Sequence, residues 1–96
     1  MLAKSPDDSF LLFAIAKEYE KMDNLEKAMT TYYHLKKIDP DYIGLYYHLA
    51  KLHEEFSEPV EALKIYDEGI ALAKKIADFH ALSELNNARM NCEIEM

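Results

Sequence analysis

Apolar and polar positions along this chain follow a helical rhythm. Leu12, Ile15, Ala16 and Tyr19 recur at i, i+3, i+4 and i+7, and Tyr46, Leu49, Ala50 and His53 do the same. Each set lies on one face of a helix. Ala28, Tyr32 and Leu35, and again Ala62, Tyr66 and Gly69, recur at i, i+4 and i+7 and define one face of a second helix. Between the stripes stand "MDN" (22–24) and "SEP" (57–59). Asn24 and Ser57 carry side-chain oxygens suited to the free amides at a helix start, and Pro59 suits a first turn. The pattern predicts two helix hairpins, about 8–21 with 24–37 and about 42–55 with 58–75. A further helix, about 78–94, starts at the capping residue Asp78 and carries one modest stripe of Phe79, Leu82, Leu85, Ala88 or Arg89, and Cys92.

The two hairpins are copies. Pro6-Asp7 matches Pro40-Asp41 after a shift of 34 residues, and the same shift superposes Leu12 on Tyr46, Ile15 on Leu49, Ala16 on Ala50 and Tyr19 on His53. It also brings Ala28 onto Ala62, Tyr32 onto Tyr66 and Leu35 onto Gly69. This period and these slots resemble the tetratricopeptide repeat. Repeat 1 then spans about 6–39, repeat 2 about 40–75, and residues about 78–94 stand where that family ends its arrays with a capping helix. Leu35 is larger than the family's small residue, His53 replaces its tyrosine, and Lys74 stands where a second closing proline would be. The resemblance implies an all-α, right-handed array of antiparallel helix hairpins, about five helices in all, forming a single domain over 1–96. Small alanines let helix backbones approach, and one hairpin cannot bury its apolar face without neighbours.

Composition agrees with the all-α reading. Half of the 96 residues are apolar, with only two glycines and three prolines, too few for the turns of an all-β domain. A chain this long buries roughly 60–65% of its unfolded surface, enough for one core without staples. The formal charge of −7 argues against nucleic acid, whose binding needs clustered Lys and Arg. Residues 41–96 carry eleven of the 18 acidic groups and five of the 11 basic ones, a solvated surface first and a draw for a basic partner second. The run "FLLFAIA" (10–16) follows Asp7 and Asp8 instead of a basic segment, so it reads as the start of a soluble helix and not as a signal core or membrane span. One cysteine, Cys92, excludes an internal disulfide and fits a reducing, cytoplasmic setting.

Reactive chemistry finds no support in the motifs. His48 and His53 are five residues apart, about 140° around a helix, and cannot share a metal from one face. No HExxH, no paired-cysteine motif and no glycine-rich phosphate loop is present, so neither an enzyme nor a cofactor is expected. Carboxylate pairs such as Glu54/Glu55 read as solvated helix face.

The family resemblance implies instead that first helices line a concave groove for a peptide or helix of a partner protein. The positions flanking the packing stripe are Phe10, Phe13, Lys17, Glu20 and Lys21 in the first hairpin. In the second they are Gly44, Tyr47, His48, Lys51, Glu54 and Glu55, and Ser83 and Asn87 follow in the last helix. Phe10 and Phe13 fall outside the first helix's core stripe. Three fates are open to them: a partner in the groove, a homodimer contact, or packing by the chain's own N-terminal segment. Where a subfamily holds carboxylate tails with lysine and asparagine, this chain has Phe13 and Lys17 in the first helix and His48 at an asparagine slot, which disfavours a carboxylate receptor.

Overall fold

The computed structural model describes residues 8–96. These contain five α-helices and no strand: α1 (Ser9–Lys21), α2 (Leu25–Ile38), α3 (Gly44–Glu55), α4 (Pro59–Ile76) and α5 (Phe79–Ile94). Both expected hairpins and the fifth helix form within a few residues of their expected ends. The match of Pro6-Asp7 to Pro40-Asp41 begins outside the described residues.

Caps explain where the helices start. Asp8 accepts from the Leu11 amide at 3.0 Å, Asn24 from that of Lys27 at 3.4 Å, and Asp78 from that of Ala81 at 3.0 Å. Each occupies a donor that has no partner inside the helix. Ser57, expected to cap α4, does not. It lies in the left-handed region at φ 60, and the residue at the cap position is Glu58, which gives no side-chain cap. Glu58 turns its carboxylate to His53 Nδ1 at 2.8 Å instead. Pro59 occupies the first turn as expected, where its missing N–H costs nothing.

The repeat extends to the turns. Asp23 and Ser57, 34 residues apart, share φ 60. The amide of Asn24 donates to the Tyr19 carbonyl at 2.8 Å, and that of Glu58 to the His53 carbonyl, also at 2.8 Å. Both are the long return bond that ends a helix through a left-handed residue. Ala77 (φ 59) does the same after α4, with the Asp78 amide on the Ala73 carbonyl at 2.9 Å. Between the repeats, the Tyr42 amide donates to the Asp39 carbonyl at 3.1 Å. That turn delays α3 to Gly44, two residues later than the pattern predicts.

The chain divides into two compact units, one ending at Leu45 and the other running Tyr46–Met96. In the first, α1 packs on α2, burying Leu12 and Ala16 with Ala28, Tyr32 and Leu35. In the second, α3 contributes Tyr46, Leu49, Ala50, Leu52 and His53 to a core with Ala62, Ile65, Tyr66, Leu72 and Ala73 of α4. Each large apolar side chain so buried contributes ~1.5–3 kcal/mol. Helix α5 closes the core with Leu85, Ala88 and Cys92. Gly69 sits at the tightest point. A Cβ there would lie 2.7 Å from Tyr46 Cβ and 3.1 Å from Leu85 Cδ1, so its bare backbone sets how closely α4 approaches its neighbours.

Two stripe positions depart from expectation. Ile15 is 38% exposed although its repeat mate Leu49 is fully buried, and Phe79 is 71% exposed although the α5 stripe starts with it. A repeat shift equates positions in two helices but says nothing about what surrounds each one.

Candidate functional site

On α1, packing consumes Leu12 and Ala16, and the other faces remain. Phe10 is 73% exposed. Lys17 and Lys21 are exposed as well, Lys21 with an ion pair to Glu18 at 3.4 Å. Phe13, grouped with Phe10 by the sequence pattern, behaves differently. It is half-buried, with its ring edge-on to Tyr32 at 6.1 Å and tilted against Tyr42 at 5.2 Å. Gly44 admits it, since a Cβ there would come within 3.3 Å of Phe13 Cζ. The Lys17 ammonium stands 5.6 Å from the centre of the Phe13 ring, a cation–π distance. The structure therefore separates the pair: Phe10 is open, and Phe13 belongs to an aromatic cluster of its own unit.

Glu20 is also occupied. Its carboxylate accepts a hydrogen bond from the Tyr32 hydroxyl. Thirty-four residues on, Glu54 accepts from Tyr66 in the same way. Both tyrosine side chains are buried, and burial with the adjacent carboxylate pushes each phenol far above its ordinary range. These bonds tie the end of each first helix to the middle of its second helix.

On α3, Tyr47 and His48 are half-buried, their rings edge-on at 5.6 Å. Lys51 and Glu55 are exposed, and Glu54 is the half-buried partner of Tyr66. On α5, Ser83 and Asn87 are exposed. His53 fills its repeat slot as packing, 5% exposed. A cavity of about 360 Å³ lies at the end of α5, lined by Glu54, Ser57, Pro59, Cys92, Glu95 and Met96. Burial, then Glu54 and Glu95, push the Cys92 thiol up, which disfavours the thiolate. Among the described residues no three His, Cys, Asp or Glu side chains gather to hold a metal. No helix among them is long and apolar enough to cross a membrane.

No protein-family model matches the chain, and no curated protein matches it. Solved structures do. A tetratricopeptide repeat domain protein from Salinibacter ruber, solved in solution, is 38% identical, with a TM-score of 0.88 over 93% of this chain and 90% of that one. This chain belongs to the tetratricopeptide repeat family. A crystal structure of a Salinibacter ruber tetratricopeptide repeat domain protein, also 38% identical, has a TM-score of 0.86 over 90% of this chain and 97% of that one. The TPR2B domain of yeast Sti1, in a complex with pHsp70, shares the fold at 16% identity, with a TM-score of 0.89 over 100% of this chain and 77% of that one.

In this tetratricopeptide domain the packing slots read from sequence hold Leu12, Ala16, Tyr46, Leu49, Ala50 and His53 in the interior. Pattern reading missed the two Tyr–Glu bonds, although a signal existed: Glu20 and Glu54 coincide under the same 34-residue shift that pairs the tyrosines. It also missed the anchor of α5, where Arg89 Nε donates to Asp67 at 2.6 Å and Nη1 lies 3.5 Å from Glu93. A contact across 22 residues leaves no periodic trace.

Proposed function

We propose that this tetratricopeptide domain is a non-catalytic protein-interaction module that binds a peptide or helix of a partner protein along its first helices, in the cytoplasm. The observation carrying this reading is the set of side chains that packing leaves over on α1 and α3. Phe10, Lys17 and Lys21 stand exposed on α1, as do Lys51 and Glu55 on α3, and Tyr47 and His48 stand half-exposed beside them. Helices fastened by buried tyrosines present these groups, so a partner meets a surface already ordered. Ordering lost on binding is then small, which favours affinity. Each unit contributes one such face, and the engagement of both by one segment, as a single domain, is part of the proposal. The yeast relative's complex with pHsp70 supports a protein partner in general terms. The net charge of −7 speaks against nucleic acid.

Panning a random peptide library against the folded domain tests this. Selected peptides should shift backbone amide resonances of α1 and α3, and Phe10→Ala with Tyr47→Ala should lose them while the melting temperature stays within a few degrees. Selection of nothing, or shifts confined to other helices, refutes it. Sedimentation of the free domain addresses the homodimer directly: concentration-dependent dimers abolished by Phe10→Ala would assign that phenylalanine to a second copy.

A further inference from the structure

The aromatic cluster around Phe13 opens to solvent. A depression of about 400 Å³, lined by Phe13, Asp41, Tyr42, Ile43 and Gly44, lies wholly within the unit that ends at Leu45. That size falls at the small end of pockets that hold ligands. Its floor is apolar and aromatic, with the Phe13 and Tyr42 rings 5.2 Å apart and inclined at 43°. Its rim is acidic. Asp41 lines it, is exposed, and takes no side-chain hydrogen bond or ion pair among the described residues. Burial, then the Asp39 and Asp8 carboxylates, push the Tyr42 phenol up, so both carboxylates bear on the same ring. Asp39 is itself oriented by the Ser9 hydroxyl, which donates to Oδ2 at 2.6 Å.

We propose that this depression receives an arginine side chain of the partner segment, its guanidinium stacked on the Tyr42 and Phe13 rings and paired with Asp41. The assignment rests on the interaction-module reading and specifies its partner. Aromatic faces attract cations through their quadrupole, and a planar guanidinium both stacks on a ring and forks onto a carboxylate, which an ammonium does not. The Asp41 carboxylate on the rim complements a cation and repels an anion. The local opponent is Lys17, whose ammonium stands 5.6 Å from the Phe13 ring centre and competes for that ring.

The test is a resonance titration of the isotope-labelled domain with three capped tripeptides, acetyl-Gly-X-Gly-amide, in which X is arginine, glutamate or norleucine. The arginine peptide should shift the amides of Tyr42, Ile43 and Gly44 saturably, with the other two at least about tenfold weaker. Asp41→Asn, at an exposed turn position that leaves folding intact, should weaken the arginine response about threefold to fivefold, the worth of one exposed charge pair. Lys17→Met should strengthen it. Equal shifts from glutamate or norleucine, no shift with arginine, or an unchanged response in Asp41→Asn overturns the assignment. The library result stays independent: selected peptides that lack arginine but map to α1 and α3 overturn this proposal and leave the module reading standing. Failure to select any peptide, with the arginine response present, sinks the module reading alone.

Discussion

The hydroxyl of Tyr66 donates to the carboxylate of Glu54, twelve residues earlier, and so fixes the end of α3 against the middle of α4. Tyr32 and Glu20 repeat the arrangement in the first hairpin. The tyrosine ends are buried while the carboxylates keep access to water, so each bond links core to surface. Tyr66→Phe removes the donor and leaves Glu54 to be hydrated. The expected loss is about 1.5 kcal/mol, at the low end of the range for a hydrogen bond to a charged group. Urea unfolding of Tyr66→Phe, Glu54→Gln and the double variant checks it. The double variant should be less destabilised than the sum of the singles, because the two changes delete one interaction.

The same phenols set an alkaline limit. Their folded pKa values lie well above the ordinary value near 10, so the unfolded chain releases protons that the fold retains. Stability from these groups is therefore fully present below about pH 10 and falls as pH rises beyond it, by about 1.4 kcal/mol per pH unit for each tyrosine. Denaturant midpoints should be flat from this source between neutrality and about pH 10 and drop above it. Tyrosinate absorbance from Tyr32 and Tyr66 should appear only with loss of helical circular dichroism. Absorbance from all seven tyrosines in a still-folded chain would contradict the buried geometry.

The glycines separate into a demanding site and a permissive one. In Gly69→Ala the new methyl meets Tyr46 Cβ at 2.7 Å, an atom next to the backbone that no rotamer change can move aside. Overpacking of about 1–3 kcal/mol exceeds a helix-propensity gain of about 1. A net loss of up to about 2 kcal/mol should appear in thermal unfolding. In Gly44→Ala the nearest atom is Phe13 Cζ at 3.3 Å, the tip of a side chain that can tilt. Stability should move by no more than about 0.5 kcal/mol.

Ala77 holds the left-handed position after α4 at φ 59. Its Cβ is strained there and glycine's absence of one is not, although glycine gives the unfolded chain more freedom. Ala77→Gly should stabilise by about 0.5–1 kcal/mol, read as a higher denaturant midpoint with an unchanged slope. Asp78→Ala, one residue on, should cost about 1 kcal/mol by stripping the cap from α5.

What could be read in advance was what repeats with short period. Helix positions and the slots at Ala16, Ala50, Tyr32 and Tyr66 follow from apolar spacing, because burial of one helix face imposes that spacing. Ser57 misled because residue type and register disagreed. Serine is the better cap chemically, but the left-handed turn falls on it and hands the cap position to Glu58. Phe13 parts from Phe10 because a helix wheel assigns a direction and cannot see Tyr42 arriving from the turn before α3. Two buried residues, Leu45 and Leu52, formed with Leu49 a second stripe at i, i+4 and i+7 that the aromatic slots overshadowed.

The tyrosine bonds have a consequence for how such a chain can grow. Donor and acceptor of each lie inside one 34-residue unit, so duplicating that stretch copies a finished clasp along with its helices. A lengthened chain inherits the means to close every added hairpin, and only the outer face of the newest unit needs fresh sequence.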